Sequence, residues 1–500
     1  MRSIRQLVHK FTGQGDDDKG AALPFVGAIL LLLLGIAAFA VDLGWLYLNG
    51  ARLQRAADSS ALAGVVFLPG DIPNVVANAV NGANANGWDI GSVNGSPVGG
   101  GGPDDLDWRS LADNKLEVTL STNVSTFFLK ALGIDDFDIT RIATAEYVKP
   151  VPIGSPDPCF GIGNTSLQSG DCNPATAQRF WAAVSGPYTN KWNGDAHATL
   201  YWSNSGWSPP DNTNTEYRSN GYYLAIDVPS GVTDLAVRIY DAGFYDRGSF
   251  DVETGDRFQD TGGGADTHFQ FYRFDSTPLD PTDNTPISGC SVGTGAFNIN
   301  SGASSSTYKN LWRTLCRLDG SVAPGIYVLR VWTDGNDGGT NQYAVRANTS
   351  SGANARVYGI NDISIFTNQA GISTLNVAEV DQVHAGKTLE LRFYDPGEDD
   401  QNAYMTVKNP GGSTATCDWV AKNEAGTTVD SGSGSCSIQT SDGTSLFQGL
   451  WVTAQVDIPD SYTCSSNCWW KMEINNSQPH DRTTWAARII GNPVRLVPNV

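Results

Sequence analysis

Hydrophobic residues are concentrated in one long uncharged run near the start of the chain. No charged residue lies between Ala21 and Val41, and leucine fills every position from Leu30 to Leu34. At 1.5 Å per residue, a helix over this run is about 30 Å long, the thickness of the hydrocarbon core of a bilayer. Together with the helical pattern that follows, it predicts a membrane anchor and stalk helix over residues 21–68.

Basic residues precede this run and predict its orientation. They are Arg2, Arg5, Lys10 and Lys19. By the positive-inside rule, residues 1–20 form a cytoplasmic tail and the bulk of the chain lies outside the cytoplasm. Two alternatives stay open: a buried core helix, and a secretory signal cleaved after Ala38-Phe39-Ala40. We favour an uncleaved single-pass anchor, because the helical pattern continues beyond Asp42 without a break.

Further along, apolar and polar residues alternate with the period of a β-strand. Leu235, Val237 and Ile239 share one face, and Arg238 and Tyr240 take the other. Short strands of this kind, separated by Gly, Asp and Asn turns, predict antiparallel β-sandwiches of a jelly-roll-like type.

An internal repeat divides this β region. Three segments recur later in the same order: Leu235–Gly243 as Leu389–Gly397, Ile326–Val331 as Trp469–Ile474, and Tyr343–Arg346 as Trp485–Arg488. Two similar domains are the economical explanation. The predicted order is a small α/β domain (69–148) after the anchor, a proline-rich linker (149–176), and two mainly antiparallel β-sandwich domains (177–368 and 369–500).

The cysteines predict disulfides in an oxidising compartment. All of them follow the hydrophobic run: Cys159, Cys172, Cys290, Cys316, Cys417, Cys436, Cys464 and Cys468. Pairing in sequence order would give four bridges, although the sequence leaves other connectivities open. A zinc site is the rival interpretation, but Cys464-x-x-x-Cys468 has no second pair of ligands at zinc-binding spacing.

The net charge of -20 repels phosphate backbones and excludes nucleic acid as an expected partner. Several acidic loops could offer oxygen ligands to Ca²⁺, and solvated turns are the alternative. The candidate ligands are Asp334, Asn336, Asp337, Asp395, Glu398 and Asp399. No other cofactor is expected.

Catalytic motifs are missing from the sequence. It contains no P-loop and no G-x-S-x-G element, and Asp362-Ile-Ser364-Ile-Phe366 fails the Asp-x-Ser-x-Ser pattern of integrin-type metal sites at its last position. We therefore do not predict an enzyme. Tryptophans could form a sugar-stacking platform, or else lie in the core. They are Trp181, Trp192, Trp202, Trp207, Trp451, Trp469 and Trp470.

Two sequence blocks after the apolar run carry a family resemblance. Val41–Tyr47 reads V-D-L-G-W-L-Y, and Leu53–Gly64 reads L-Q-R-A-A-D-S-S-A-L-A-G. They resemble the N-terminal segment of TadG-like proteins of the tight-adherence (Tad/Flp) pilus system, with Ser60 in place of a usual alanine. A weaker likeness extends over roughly the first 150 residues, where it implies a strand over residues 116–120 and a short helix over residues 125–132. The positions carried over to an anchor and assembly helix are Asp42, Gly44, Tyr47, Leu53, Gln54, Ala57, Asp58 and Gly64.

The resemblance implies a structural role in pilus assembly, with pilus-assembly proteins or pilin as partners. Small residues on the stalk could let neighbouring helices approach, or could pack on the chain's own α/β domain. Counting from Gly20, Phe25 stands where filament subunits of the family carry glutamate, which argues against a major pilin. The expected function is a single-pass envelope component that presents its β-domains to protein or surface partners. The alternative is a cell-surface carbohydrate-binding adhesin.

Overall fold

The computed structural model divides the chain into two compact units. The anchor unit comprises Met1–Leu68, Ile72–Tyr147 and Val494–Val500, and the β unit comprises Pro69–Asp71 and Val148–Pro493. The residues described are 22–68, 72–97, 102–112, 114–147, 151–162, 180–198, 214–244, 254, 256–258, 265–273, 284–287, 296–300, 308–335, 338–349, 354–367, 370–397, 402–444, 446–476, 481–491 and 494–498.

The anchor unit contains a long helix, α1 (Ala22–Val65), and a shorter one, α2 (Ile72–Ala85). Apolar residues surround the first half of α1, whereas its second half buries only one stripe. Helix α2 buries Val75, Ala79, Gly82 and Ala83, a spacing that places them on one helical face. Both helices therefore have a face that needs a partner within the unit.

One sheet supplies that partner. Its strands are β1 (Ile90–Val93), β2 (Ser96–Pro97), β3 (Asp104–Ala112), β4 (Lys115–Ser125), β5 (Asp136–Tyr147) and β28 (Val494–Val497). Their order is β2-β1-β3-β4-β5-β28, with β1 and β3 parallel and the other pairs antiparallel. The last described strand of the chain thus returns to the anchor unit, although the sequence pattern assigns it to the second sandwich domain.

Between β4 and β5 the chain forms a single turn of 3₁₀-helix, Leu129–Leu132. The sequence predicts a longer helix over residues 125–132. The difference arises because β4 extends through Ser125, which pairs with Asp136 of β5. Gly133 ends the turn in the left-handed conformation, with φ of 83°.

The β unit is built from short strands. They are β6 (Ile153–Gly154), β7 (Cys159–Phe160), β8 (Trp181–Ser185), β9 (Tyr222–Val228), β10 (Asp234–Tyr240), β11 (Arg257–Phe258), β12 (Ala265–Tyr272), β13 (Ala296–Asn300), β14 (Trp312–Asp319), β15 (Gly325–Gly335), β16 (Gly339–Asn348), β17 (Arg356–Gly359), β18 (Asp362–Thr367), β19 (Gly371–Glu379), β20 (Thr388–Tyr394), β21 (Asn402–Lys408), β22 (Thr416–Lys422), β23 (Thr428–Ser435), β24 (Ser437–Asp442), β25 (Trp451–Asp457), β26 (Trp469–Asn476) and β27 (Asp481–Ile489). Two 3₁₀ turns accompany them, Lys191–Asn193 and Gln382–His384.

These strands form two antiparallel sheets. One has the order β14-β10-β16-β8-β18-β27-β20-β25-β22-β23, with β7 and β11 also paired to β16, and the other is β13-β12-β15-β9-β17-β6-β19-β26-β21-β24. Their apolar faces share one core, to which β9, β10, β20 and β26 all contribute. The expected fold class, an apolar N-terminal helix with a small α/β region followed by mainly antiparallel sheets, is confirmed.

Each sheet crosses the boundary between the two sequence repeats. Strand β18 pairs with β27 in one sheet, and β6 joins β17 to β19 in the other. Part of the predicted linker is therefore built into the sheets, since β6 and β7 fall within residues 149–176. Ile153 and Phe160 are buried there, and this burial favours strand pairing over an exposed linker.

The repeated segments occupy related positions. Strands β10 and β20 both end at a buried aspartate in the left-handed conformation, Asp241 with φ of 51° and Asp395 with φ of 57°. The pairing of these strands with their neighbours differs by two residues. Arg238 of β10 lies opposite Arg346 of β16. The corresponding Arg392 of β20 lies opposite Ala486 of β27, two residues before Arg488, which is the counterpart of Arg346. A shift of two keeps every side chain on its original face of the sheet.

Candidate functional site

The first half of α1 has an apolar surface that nothing in the anchor unit covers. From Phe25 to Val41 every side chain except Ala38 is exposed. Among the described residues, α1 is the one helix that is long and apolar enough to cross a membrane, judged by length and composition. An apolar surface around the whole circumference is typical of a membrane span.

Asp42 ends this apolar stretch and is fully buried. Its carboxylate accepts hydrogen bonds from the backbone amides of Phe127, Phe128 and Leu129, at 2.8, 2.9 and 2.6 Å. These amides lie at the start of the 3₁₀ turn, where amide groups otherwise lack partners. Burial raises the pKa of the carboxyl, but the three amide bonds outweigh it and the net pKa is lowered. Asp42 therefore ties the base of the stalk to the β4–β5 connection as a carboxylate.

The small-residue stripe of α1 packs inside the anchor unit. Leu53, Ala56, Ala57 and Ala61 have no exposed surface. A Cβ added to Gly64 would lie 2.9 Å from the carbonyl oxygen of Val75 in α2. The chain's own α/β domain, including α2, therefore occupies the stripe. This packing favours the second of the two interpretations that the sequence left open.

The other anchor positions divide into bridging and exposed residues. Gln54 donates to Asp58, one helical turn on, at 2.8 Å, and to the carbonyl oxygen of Ile142 in β5 at 3.1 Å. Gly44 has open space around it, and Tyr47 is 81% exposed. The anchor residues predicted from sequence thus lie on several faces of α1 and do not form one cluster.

Two bridges connect cysteines that are neighbours in sequence order. Cys417 and Cys436 form a disulfide with Cα atoms 5.2 Å apart, and Cys464 and Cys468 form another at 5.7 Å. Cys159 and Cys316 are also disulfide-bonded. Their predicted partners, Cys172 and Cys290, lie outside the described residues.

The calcium candidates are not brought together where the structure describes them. Asp334 contacts the imidazole of His268 at 2.8 Å, and buried Asp395 accepts from the amide of Gly449. Four further candidates, Asn336, Asp337, Glu398 and Asp399, fall outside the described residues. Within the described part of the chain, no group of three or more His, Cys, Asp or Glu side chains could hold a metal ion.

Three described tryptophans of the predicted sugar platform are instead buried. Trp181, Trp469 and Trp470 are at most 1% exposed. Trp451 is half-buried and donates its indole N–H to Glu216 at 3.0 Å. These positions favour the core interpretation that the sequence left open for them. Trp202 and Trp207 lie outside the described residues.

A buried polar cluster in the β unit is not evident from the sequence. Lys191 is fully buried and forms ion pairs with Glu216, at 3.0 Å, and with Glu424. Its ammonium lies 5.0 Å from the ring centroid of Tyr394. Glu216 belongs to the first repeat, whereas Glu424 and Tyr394 belong to the second. The cluster therefore links the two repeats through charge as well as through strand pairing.

A second part of the cluster surrounds Asp362 at the start of β18. Its carboxylate contacts the Nε2 atom of His197 at 3.1 Å and the guanidinium of Arg218 at 2.6 Å. Burial raises the pKa of Asp362, but the His197 and Arg218 contacts outweigh it and lower the pKa overall. The Nδ1 atom of His197 faces the carbonyl oxygen of Glu216, at 3.0 Å. The arrangement satisfies buried charges and orders the loops that carry them.

No local signal marks these residues in the sequence. Lys191, Glu216, Asp362 and Glu424 are far apart along the chain and belong to no motif. Only the strand topology brings them together. Pairing of these residues across the repeats could have been inferred only from covariation among related sequences.

The fold and the anchor geometry together define a class: a large antiparallel β-protein that carries a helix of membrane-spanning length built into a small α/β unit. Residues 20–70 match the family model described as "Putative Flp pilus-assembly TadE/G-like". The N-terminal part of the chain is therefore similar to the TadE/G-like family, as its sequence blocks predict.

Other comparisons add little. A search of curated proteins finds no match. A "putative secreted protein" from Parabacteroides distasonis is 8% identical, covering 69% of this chain and 88% of that one, with a TM-score of 0.13. The N-terminal tandem CBM22 domains of Xyn10C from Paenibacillus barcinonensis are 10% identical, covering 55% and 80%, with a TM-score of 0.14. At such TM-scores the likeness supports no inference about fold or ligand.

Proposed function

We propose that this chain is a membrane-anchored structural component of a Tad/Flp-type pilus-assembly apparatus, and that it displays its β unit outside the cytoplasm. The observation that carries the proposal is the continuity of α1. One helix has an exposed apolar surface over residues 25–41 and then enters the core of the α/β unit within the segment that matches the Tad model.

Export of the β unit is supported by charge and by redox chemistry. Lys and Arg residues precede the span, which favours a cytoplasmic N-terminus. Every cysteine follows the span, and the described cysteines are in disulfides, which persist in oxidising compartments.

The contact surface for pilus-assembly proteins or pilin would be the part of α1 that its own unit leaves open. The small-residue stripe is occupied, but Leu43, Gly44, Tyr47 and Leu48 are exposed just beyond the span. Tyr47 presents a large, rigid side chain of the kind enriched at protein interfaces. The helix would therefore bind its partners through this open surface.

A photocrosslinking experiment tests the assembly role. A photoreactive phenylalanine replaces Tyr47 in the full-length protein in its native membrane, and the matched control carries it at exposed Leu111. We expect crosslinks to identified pilus-assembly proteins or pilin from position 47 and none from position 111. Equal labelling at both positions, or no pilus protein at either, would contradict the proposal.

N-terminal sequencing of the same membrane preparation tests the anchor. An intact N-terminus supports a retained span, and a mature chain beginning at Val41 would identify a cleaved secretory signal.

None of the tryptophans described by the structure forms an exposed platform, so we do not advance the carbohydrate-binding alternative.

A further inference from the structure

The β4–β5 connection of the anchor unit carries several exposed apolar side chains. Phe127 is 59% exposed, Phe128 51%, Leu132 78% and Ile134 40%. Leu129 lies between them and is buried. Contiguous apolar surface of this kind marks a site of interaction with a protein or a membrane. We call residues 127–134 the apolar loop.

The packing of α1 fixes the height of this loop along the helix. A Cβ on Gly64 would contact Leu116 near the start of β4, and a Cβ on Gly50 would contact Arg141 of β5. Asp42 binds the amides that follow the end of β4. Helix α1 therefore runs antiparallel to β4, and the loop lies at the level of Asp42.

The lengths of the two elements agree with this arrangement. From Asp42 to Gly64 the helix rises about 33 Å at 1.5 Å per residue. From Lys115 to Ser125 the strand spans about 33 Å at about 3.3 Å per residue. The hairpin between β3 and β4 is consequently about 30 Å from the loop, at the opposite end of the sheet.

Asp42 is also the first charged residue after Lys19, so it ends the uncharged stretch of the chain. If that stretch spans the bilayer, the level of Asp42 is the membrane–water interface. The exposed apolar surface of α1 reaches this level, where Asp42 and Trp45 contact the apolar loop. Both apolar surfaces would then lie at the same membrane–water interface.

We infer that the apolar loop inserts into the lipid interface beside α1, as a second membrane contact of the anchor unit. This inference rests on the membrane anchoring proposed above. Trp45 packs against Phe127 with ring centroids 5.4 Å apart, at the depth where aromatic residues are enriched in membrane proteins. Exposed Lys130 can extend its ammonium towards lipid phosphate.

Charged residues limit the depth of insertion. Asp135 and Asp136 follow Ile134 directly and are exposed. The side-chain amide of Asn123 bonds Asp136 and Asp138, each at 2.9 Å, so this carboxylate cluster forms the polar edge of the sheet. Phe127, Phe128 and Leu132 would enter the interface, while β4 and β5 stay in water.

Depth-dependent fluorescence quenching tests the inference. Three variants of the full-length protein, each with one added cysteine at Leu132→Cys, Leu32→Cys or Leu111→Cys, are labelled with a polarity-sensitive dye under non-reducing conditions that keep the native disulfides intact. Each variant is reconstituted into vesicles of phosphatidylethanolamine and phosphatidylglycerol. The vesicles also contain lipids that carry a nitroxide quencher either near the bilayer surface or deep in the hydrocarbon core. Position 132 is in the loop, position 32 is in the span, and position 111 is at the far end of the sheet.

We expect several-fold stronger quenching at position 132 than at position 111, with the shallow nitroxide more effective. Position 32 should be quenched best by the deep nitroxide. If position 132 is quenched no more than position 111 while position 32 is still quenched, the loop contact is overturned and the anchor remains supported. No quenching at 32 would overturn the anchor, and with it this inference.

Leu132 is the most exposed of the large apolar side chains of the loop, so its substitution should leave the fold unchanged, as circular dichroism can verify. Phe128→Cys is a second variant with the same expected quenching, should Leu132→Cys fail to fold. The vesicles contain no other protein. If the loop instead docks on a protein partner, the dyes at positions 132 and 128 would stay in water and would not be quenched, and that result also contradicts the inference.

Discussion

One buried charge in each unit illustrates a different way of being satisfied. In the anchor unit the buried carboxylate of Asp42 is stabilised by backbone amides of one short turn. In the β unit, buried Lys191 is balanced by Glu216 and Glu424, which come from distant parts of the chain. The first arrangement needs only one helix and one loop, whereas the second forms only after both repeats have folded.

The difference extends to covalent stabilisation. The anchor unit contains no cysteine, because every cysteine of the chain lies between residues 159 and 468. The β unit, which has exposed edge strands and long connections, carries the disulfides. A reducing environment should therefore affect the units unequally, as should the loss of a long-range ion pair.

The largest expected effect comes from the Cys417–Cys436 disulfide. Replacing both cysteines with alanine should cost the β unit about 3 kcal/mol, because the bridge closes a loop with a sequence separation of 19. Urea unfolding followed by regional hydrogen exchange measures the loss in the full-length protein. As a matched control, the Cys464–Cys468 disulfide closes a shorter loop, and replacing both of its cysteines with alanine should cost about 2 kcal/mol. Comparable destabilisation of the anchor unit would contradict the expectation that the disulfides stabilise the β unit alone.

The Lys191→Met substitution should destabilise the β unit by about 2 kcal/mol. It leaves Glu216 and Glu424 close together without their cation, and the loss is below the usual range for a buried pair because both carboxylates are partly exposed. Thermal unfolding with regional hydrogen exchange measures the effect. Adding Glu424→Gln should recover part of the loss, and a double variant less stable than Lys191→Met would show that the charges do not act as a group.

In the anchor unit, Gly82→Ala should cost about 1 kcal/mol although alanine favours helices. The new Cβ would lie 2.9 Å from the Cα atom of Ser60 and 3.1 Å from the backbone carbon of Ser59, so α1 and α2 must separate. Gly44→Ala is the matched control: its Cβ meets open space, and the substitution should be neutral or stabilising by up to about 1 kcal/mol. Hydrogen exchange of α2 distinguishes the two. Equal effects would refute close helix packing at Gly82.

Much of the anchor unit could be predicted from the sequence because its signals are local. The uncharged run, the block beginning at Val41 and the strand around Leu116 lie where the sequence places them. The carboxylate of Asp42 could not be assigned to the amides of residues 127–129, because they are distant in sequence. The pairing of β28 with β5 was equally inaccessible, since a four-residue strand carries almost no periodicity.

In the β unit, strand periodicity predicts the fold class and the repeat identifies corresponding strands. Neither signal predicts that the sheets cross the repeat boundary, because alternation describes the faces of a strand and not its neighbours. The cluster of Lys191, His197 and Asp362 was missed for the same reason. Its members are ordinary polar residues until the topology buries them.

The unbroken course of α1 has a mechanical consequence. The described helix runs from Ala22 to Val65 without interruption, and Asp42 secures it to the sheet where the apolar stretch ends. No hinge separates the apolar stretch from the α/β unit, so tilting or rotating the helix must tilt or rotate that unit with it. A pulling force applied to the α/β unit would likewise reach the apolar stretch directly, without first extending a slack tether.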